Sequence, residues 1–157
     1  TEMSFFSNGK MVYKHSFNIG TIRLLQNAVS ETDWTVMKEA IRFVTKGHKK
    51  VMAIGSGGNI NKVFSMSKTK EGRPLTLTLL REYYKNFSEL TVAERMRHYH
   101  LREDRADVIV PALNIYTQVM RWAGAEEIFV PKIGLVDGLV HHLYESGERI
   151  GTAAVKG

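Results

Sequence analysis

The residues with the most chemical capacity are Val51-Met52-Ala53-Ile54-Gly55-Ser56-Gly57-Gly58-Asn59. The apolar run reads as a short buried strand and Asn59 as the N-cap of a helix running to Met66, which puts the glycines at a strand-to-helix turn. Glycines there let backbone N–H groups crowd an anion without Cβ clashes, and the helix N-terminus adds favourable partial charge. The same glycines would serve a tight turn alone, so the loop is a candidate for phosphate and no more than that on its own. Other reactive types are poorly arranged. His141 and His142 are adjacent on a helix and point to different faces, so they cannot make an i, i+4 metal pair, and His98 and His100 have no third ligand. No nucleophile-elbow pattern accompanies the serines. Tyr83, Tyr84 and Tyr99 read as core aromatics on helices rather than base-stacking platforms.

Composition narrows the classes further. A formal charge of +6 and a pI near 9.6 favour anionic partners. The basic residues fall in two loose groups, Lys46, His48, Lys49 and Lys50, and Arg95, Arg97, Arg102 and Arg105. Scattered cations of this kind read as a solvated face, so nucleic acid is not the expected partner. The absence of cysteine excludes disulfides and thiolate metal sites. No apolar run approaches the ~20 residues that span a bilayer, and no signal-peptide core is visible, so the expectation is a cytoplasmic protein without a membrane partner. At 157 residues the chain fits one domain with a real core.

The elements that must position the loop can be read from periodicity. Residues 3–7 lead through Asn8-Gly9, a strong hairpin signal, into a second strand over 10–17. A hairpin alone is marginal, which suggests a preceding strand cut away or carried by another chain. Ile22, Leu24, Leu25 and Val29 suggest a short helix. A longer one follows, capped by Ser30 or Thr32, with Val36, Met37, Ala40, Ile41 and Val44 on one face and Gly47 at its end. Residues 68–74 form a polar loop and 75–87 a helix. Thr91 and Glu94 make a capping box. From Asp104 a long apolar helix runs to Gly124, with Pro111 as a kink or in its first turn. Residues 128–130 form a buried strand, and Leu135 to Leu143 a last helix. Strands alternating with helices predict an α/β fold with helices on the faces of the sheet and ligands at the carboxyl ends of its strands.

The segments TEMSFFSNGK, IGTIRLL, AIGSGGNI, RADVIVPALNI and EIFVPKIGLVDGLV, in this order and at these spacings, resemble the exopolyphosphatase/guanosine pentaphosphate phosphatase family. The family belongs to the sugar kinase, Hsp70 and actin superfamily. The resemblance implies the C-terminal half of a two-lobed catalytic region, an RNase-H-like (actin-like ATPase) lobe. It has a mixed sheet with helices on its faces, and its first strand is missing from this chain. Residues 1–146 would form the lobe and 147–157 a flexible tail.

The resemblance also assigns roles. The family's second half opens with a phosphate loop, Asp-x-Gly-Gly-Gly-Ser-Thr-Glu, of which only Thr1 and Glu2 are present here. It implies that Glu2 coordinates metal or orients the attacking water, and that Thr1 lies at the phosphates; without it, Glu2 reads as an exposed terminal residue. Gly55, Ser56, Gly57 and Gly58 match the second glycine loop, with backbone contacts to phosphates. Gly58 and Asn59 depart from the family's usual Gly-Thr at this point, which puts side-chain contacts there in doubt. Arg105 matches an arginine able to reach a polyphosphate chain, the alternative being a salt bridge to Asp104 or Asp107. Arg23 matches another, the alternative being a solvated residue on an amphipathic helix. The implied cofactor is Mg²⁺, and the implied substrate inorganic polyphosphate or guanosine pentaphosphate ((p)ppGpp). The expected partner is the N-terminal lobe of the same protein, with a homodimer as a further possibility. The chain alone is expected to be inactive. The other class consistent with these residues is a non-catalytic phosphate- or nucleotide-binding module.

Overall fold

A computed structural model describes residues 1–131. The expected last helix with His141 and His142, and the boundary between 1–146 and 147–157, lie outside the described residues. The chain begins with strands β1 (Glu2–Ser7) and β2 (Lys10–Ser16), paired antiparallel. Asn8 and Gly9 both take positive φ, 50° and 75°, as the tight hairpin turn requires. A register shift between Phe5 and Phe6 sets Phe5 opposite Tyr13 and Phe6 opposite Met11. Met3 and Phe5 are therefore half-buried while Glu2, Ser4 and Phe6 face solvent.

Helix α1 (Thr21–Leu25) is a single short turn, and α2 (Glu31–Thr45) follows. Ser30, not Thr32, caps α2: its hydroxyl oxygen accepts from the Asp33 N–H, and Asp33 accepts from the Ser30 N–H at 2.8 Å. The Ser30 hydroxyl, donating to Asp33 Oδ2 at 2.6 Å, and the Ser30 N–H together hold the Asp33 carboxyl below its ordinary range. Strand β3 is only Ala53–Ile54, and α3 (Gly58–Met66) starts one residue before the expected cap, with Gly57 as N-cap. The expected helix over 75–87 splits. Leu75–Thr76 is strand β4, and α4 (Leu77–Ser88) begins when the Thr76 hydroxyl accepts the Leu79 N–H. Thr76 is extended, as an N-cap must be, and Leu75 is fully buried in the sheet.

Helix α5 (Val92–Tyr99) has the predicted Thr91/Glu94 capping box. The long apolar helix is also divided, into α6 (Glu103–Ala106) and α7 (Ile109–Ala123), ending at Gly124 with φ of 67°. Pro111 falls in the first turn of α7, where its missing N–H removes no intrahelical bond. Strand β5 (Glu127–Phe129) lies between β3, to which it is parallel, and β4, to which it is antiparallel. The result is a mixed three-stranded sheet and a separate hairpin, with helices packed against them.

α7 ties the parts together. Ile109, Leu113 and Met120 join Ile60, Val63, Leu80, Phe87 and Ile128 in one core. Ile115 joins Phe17, Ile19, Met37 and Ile41 in a second, beneath the hairpin. The one polar side chain buried in α7, Thr117, donates to Leu113 O at 2.8 Å and so leaves no unmet hydroxyl. Among the described residues no helix is long and apolar enough to cross a membrane.

Phe87 is fully buried, 5.6 Å from the Tyr83 ring and 4.5 Å from the Tyr99 ring, and its carbonyl accepts from Arg95 Nε at 2.8 Å. Phe87→Ala is expected to lower stability by about 3–5 kcal/mol in urea denaturation, because α4 and α5 lose their shared packing. A loss below about 1 kcal/mol would contradict this placement.

Candidate phosphate-binding cleft

The glycine loop opens on a cleft of about 490 Å³ lined by Thr1, Glu2, residues 53–59 and the face of α7 that carries Ala112, Ile115, Tyr116 and Val119. Three glycines of the loop sit in three different environments. Gly55 is buried, and a Cβ there would lie 2.7 Å from Ile128 Cδ1 and 3.3 Å from the Tyr116 ring. Gly57 has φ 115° and ψ 161°, a region essentially closed to other residues. Gly58 is where the Arg105 guanidinium rests: a Cβ would meet Nη1 and Nη2 at 2.6 Å.

No side chain caps α3 at Gly57. The first-turn N–H groups, which have no intrahelical partner, therefore face outward at the loop. Arg105 Nη1 donates to Asn59 Oδ1 at 3.3 Å, which places a cation beside these donors. The alternative salt bridge of Arg105 to Asp104 or Asp107 does not form; Asp104 pairs instead with Arg102, at 3.1 Å on the exposed surface. Partial positive charge from a helix N-terminus together with a guanidinium suits an anion with several oxygens.

Tyr116 is the residue that sequence reasoning missed. Its hydroxyl donates to Ser56 O at 2.8 Å and pins the loop to α7, and burial pushes its pKa up to about 12, so it stays a neutral donor. Only its place in an apolar helical run was visible in the sequence, and that reads as core. Arg95, one of the scattered arginines, is also structural: it bonds Phe87 O and Ala106 O, each at 2.8 Å. This sets Arg95 apart from the rest of the arginine group.

The structure thus gathers most of the candidate residues. Thr1, Glu2, Gly55, Ser56, Gly57 and Gly58 border one cleft, and Arg105 reaches its edge. Thr1 is tied down there, its hydroxyl donating to Ile19 O at 2.6 Å. Glu2 is exposed at the start of β1, and among the described residues its carboxylate forms no ion pair. Arg23 is not in the lining; it sits exposed on α1. Among the described residues no three His, Cys, Asp or Glu side chains converge as a metal site. Glu2 can contribute one carboxylate, which suits an ion brought in on a phosphate chain but not an all-protein Mg²⁺ cage.

With this geometry in place, similarity to solved structures is decisive for the fold. A Ppx/GppA family member from Aquifex aeolicus aligns with a TM-score of 0.74 at 17% identity, covering 94% of this chain and 54% of that one. The chain shares the fold of the Ppx/GppA phosphatases. An exopolyphosphatase from Cytophaga hutchinsonii ATCC 33406 aligns with a TM-score of 0.72 at 20% identity over 96% of this chain and 55% of its own. The chain spans about half the length of the Ppx/GppA chains it matches. No protein-family model and no curated protein sequence matches it.

The loop geometry separates neighbouring glycines. Gly57→Ala is expected to cost about 1–3 kcal/mol in urea denaturation through its backbone conformation. Gly58→Ala should cost much less, because only the flexible Arg105 guanidinium must move, yet it should displace that group from Asn59. Equal losses at the two positions would contradict the assignment.

Proposed function

We propose that this chain is the phosphate-gripping lobe of a phosphoanhydride hydrolase that releases terminal phosphate from inorganic polyphosphate or guanosine pentaphosphate. The observation that carries the reading is the Arg105 guanidinium resting against Gly58 beside the uncapped start of α3, at the edge of a cleft that also holds Glu2. Hydrolysis of such a substrate needs neutralised phosphoryl oxygens, an in-line water and little covalent help. In this scheme the amides of residues 57–60 and Arg105 grip the anionic chain, and the Glu2 carboxylate orients water or takes one position on a phosphate-borne Mg²⁺. That ion would supply charge neutralisation when bound. Another lobe, from polypeptide beyond these residues, completes the site. The exopolyphosphatases of the same fold support the substrate class.

A second reading keeps the grip without turnover. It is favoured by the single carboxylate that the described residues place in the cleft. Phosphate release from polyphosphate and from guanosine pentaphosphate, with Mg²⁺, separates the two. The measurement compares this chain with the longest natural polypeptide that contains it. The enzyme reading expects release by the longer protein, none by residues 1–157, and a loss of at least ~100-fold on Glu2→Gln. A folded longer protein that binds triphosphate but hydrolyses neither substrate would establish the binding module instead.

A further inference from the structure

Arg105 can meet an anion at the loop only if α6, which carries it, is held in place. That helix has four residues, Glu103–Ala106, too few to be stable by themselves. Its last carbonyls have no intrahelical partner. Arg95, on the neighbouring α5, supplies one from outside. Its Nη1 donates to Ala106 O at 2.8 Å, while its Nε donates to Phe87 O, also at 2.8 Å. One planar guanidinium therefore joins the last turn of α4 to the end of α6.

Both anchors are firm. Phe87 and Ala106 are each fully buried, and the Phe87 ring packs against Tyr83 and Tyr99. Ala106 directly follows Arg105, so the carbonyl that Arg95 holds belongs to the residue next to the one that reaches Gly58. Burial draws the Arg95 pKa below the usual arginine value, and the charge of Asp107, the next residue again, works against that shift. Arg95 is absent from the cleft lining, so it cannot act on an anion there directly. We propose that Arg95 is a positioning residue for the anion grip: it fixes the end of α6 so that the Arg105 guanidinium lies at Gly58 and Asn59. This role rests on the grip proposed above, yet the placement of Arg105 can be read without any ligand. Lysine at this position would keep the charge but lose the planar fork that bonds two carbonyls at fixed angles.

The test follows Arg95→Lys in the full chain by NMR. The Asn59 side-chain amide is read first without ligand, and then the affinity for sodium tripolyphosphate is measured. Arg105→Ala marks where the Asn59 signal lies when the guanidinium is gone. Arg95→Lys should move Asn59 towards that position and weaken tripolyphosphate binding by at least ~5-fold. Adding Arg95→Lys to Arg105→Ala should weaken binding no further, because both changes act through one guanidinium. Met37→Ala, in the core beneath the hairpin, lowers stability alone and should leave both the Asn59 signal and the affinity unchanged. In the unaltered chain, where no variant has to fold, the Arg95 Nε–H should exchange at least ~10-fold more slowly than that of exposed Arg97. An unmoved Asn59 signal in folded Arg95→Lys, or fast exchange at Arg95, would overturn the role. So would additive losses in the double variant, or an equal loss of affinity in Met37→Ala. Undiminished binding by Arg105→Ala would refute the grip, whereas a failure confined to Arg95→Lys would leave the grip standing and remove only Arg95 from it.

Discussion

Everything in the described structure depends on α7 being buried on more than one side. The helix supplies Ile109, Leu113 and Met120 to the core under the three-stranded sheet and Ile115 to the core under the hairpin. Among the described residues no strand bridges the two sheets, and the shared helix packs against both. Burying apolar side chains, at roughly 25 cal/mol per Å², is what holds such a joint. Thr117 bonds back to its own helix, while Gln118 Oε1 is buried without a partner among the described residues and offsets part of that gain.

The functional face follows from the same joint. Tyr116 lies on α7 beside Ile115 and reaches Ser56 O, so the helix that packs both cores also sets the position of the glycine loop. Arg105 arrives from the short helix just before α7 and settles on Gly58 because that residue has no Cβ. Loop, guanidinium and Glu2 are thus brought to one cleft by packing, although they lie far apart in the chain.

Much of this was legible in the sequence. Asn8-Gly9 announced the hairpin, and the apolar run before Gly55 announced a strand followed by a turn and a helix. The Thr91/Glu94 box was correct because both of its bonds are local. What could not be read depended on distant neighbours. Leu75 looked helical because its apolar spacing continues into α4, yet pairing with Ile128 makes it a strand residue. The break between α6 and α7 is set by where Ala106 and Ile109 must point, both fully buried. Gly57 rather than Asn59 caps α3, and the Asn59 side chain instead accepts from Arg105. Thr1, Glu2 and the glycines border one cleft, whereas Arg23 lies outside the lining on the short, exposed α1. Tyr116 was invisible as a functional residue, since a tyrosine at helical spacing announces packing and nothing about the carbonyl it meets.

The central claim is that the start of α3 and Arg105 form one anion grip. The most direct measurement is an NMR titration of the chain with sodium tripolyphosphate, following the amides of residues 57–60 and the Arg105 side chain. The account predicts that these signals move together along one binding curve. It also predicts that Arg105→Ala weakens binding by at least ~10-fold, as expected for losing a charged hydrogen-bond donor. Shifts confined to Lys46, Lys49 and Lys50, with the loop amides unmoved and the affinity insensitive to Arg105, would contradict it.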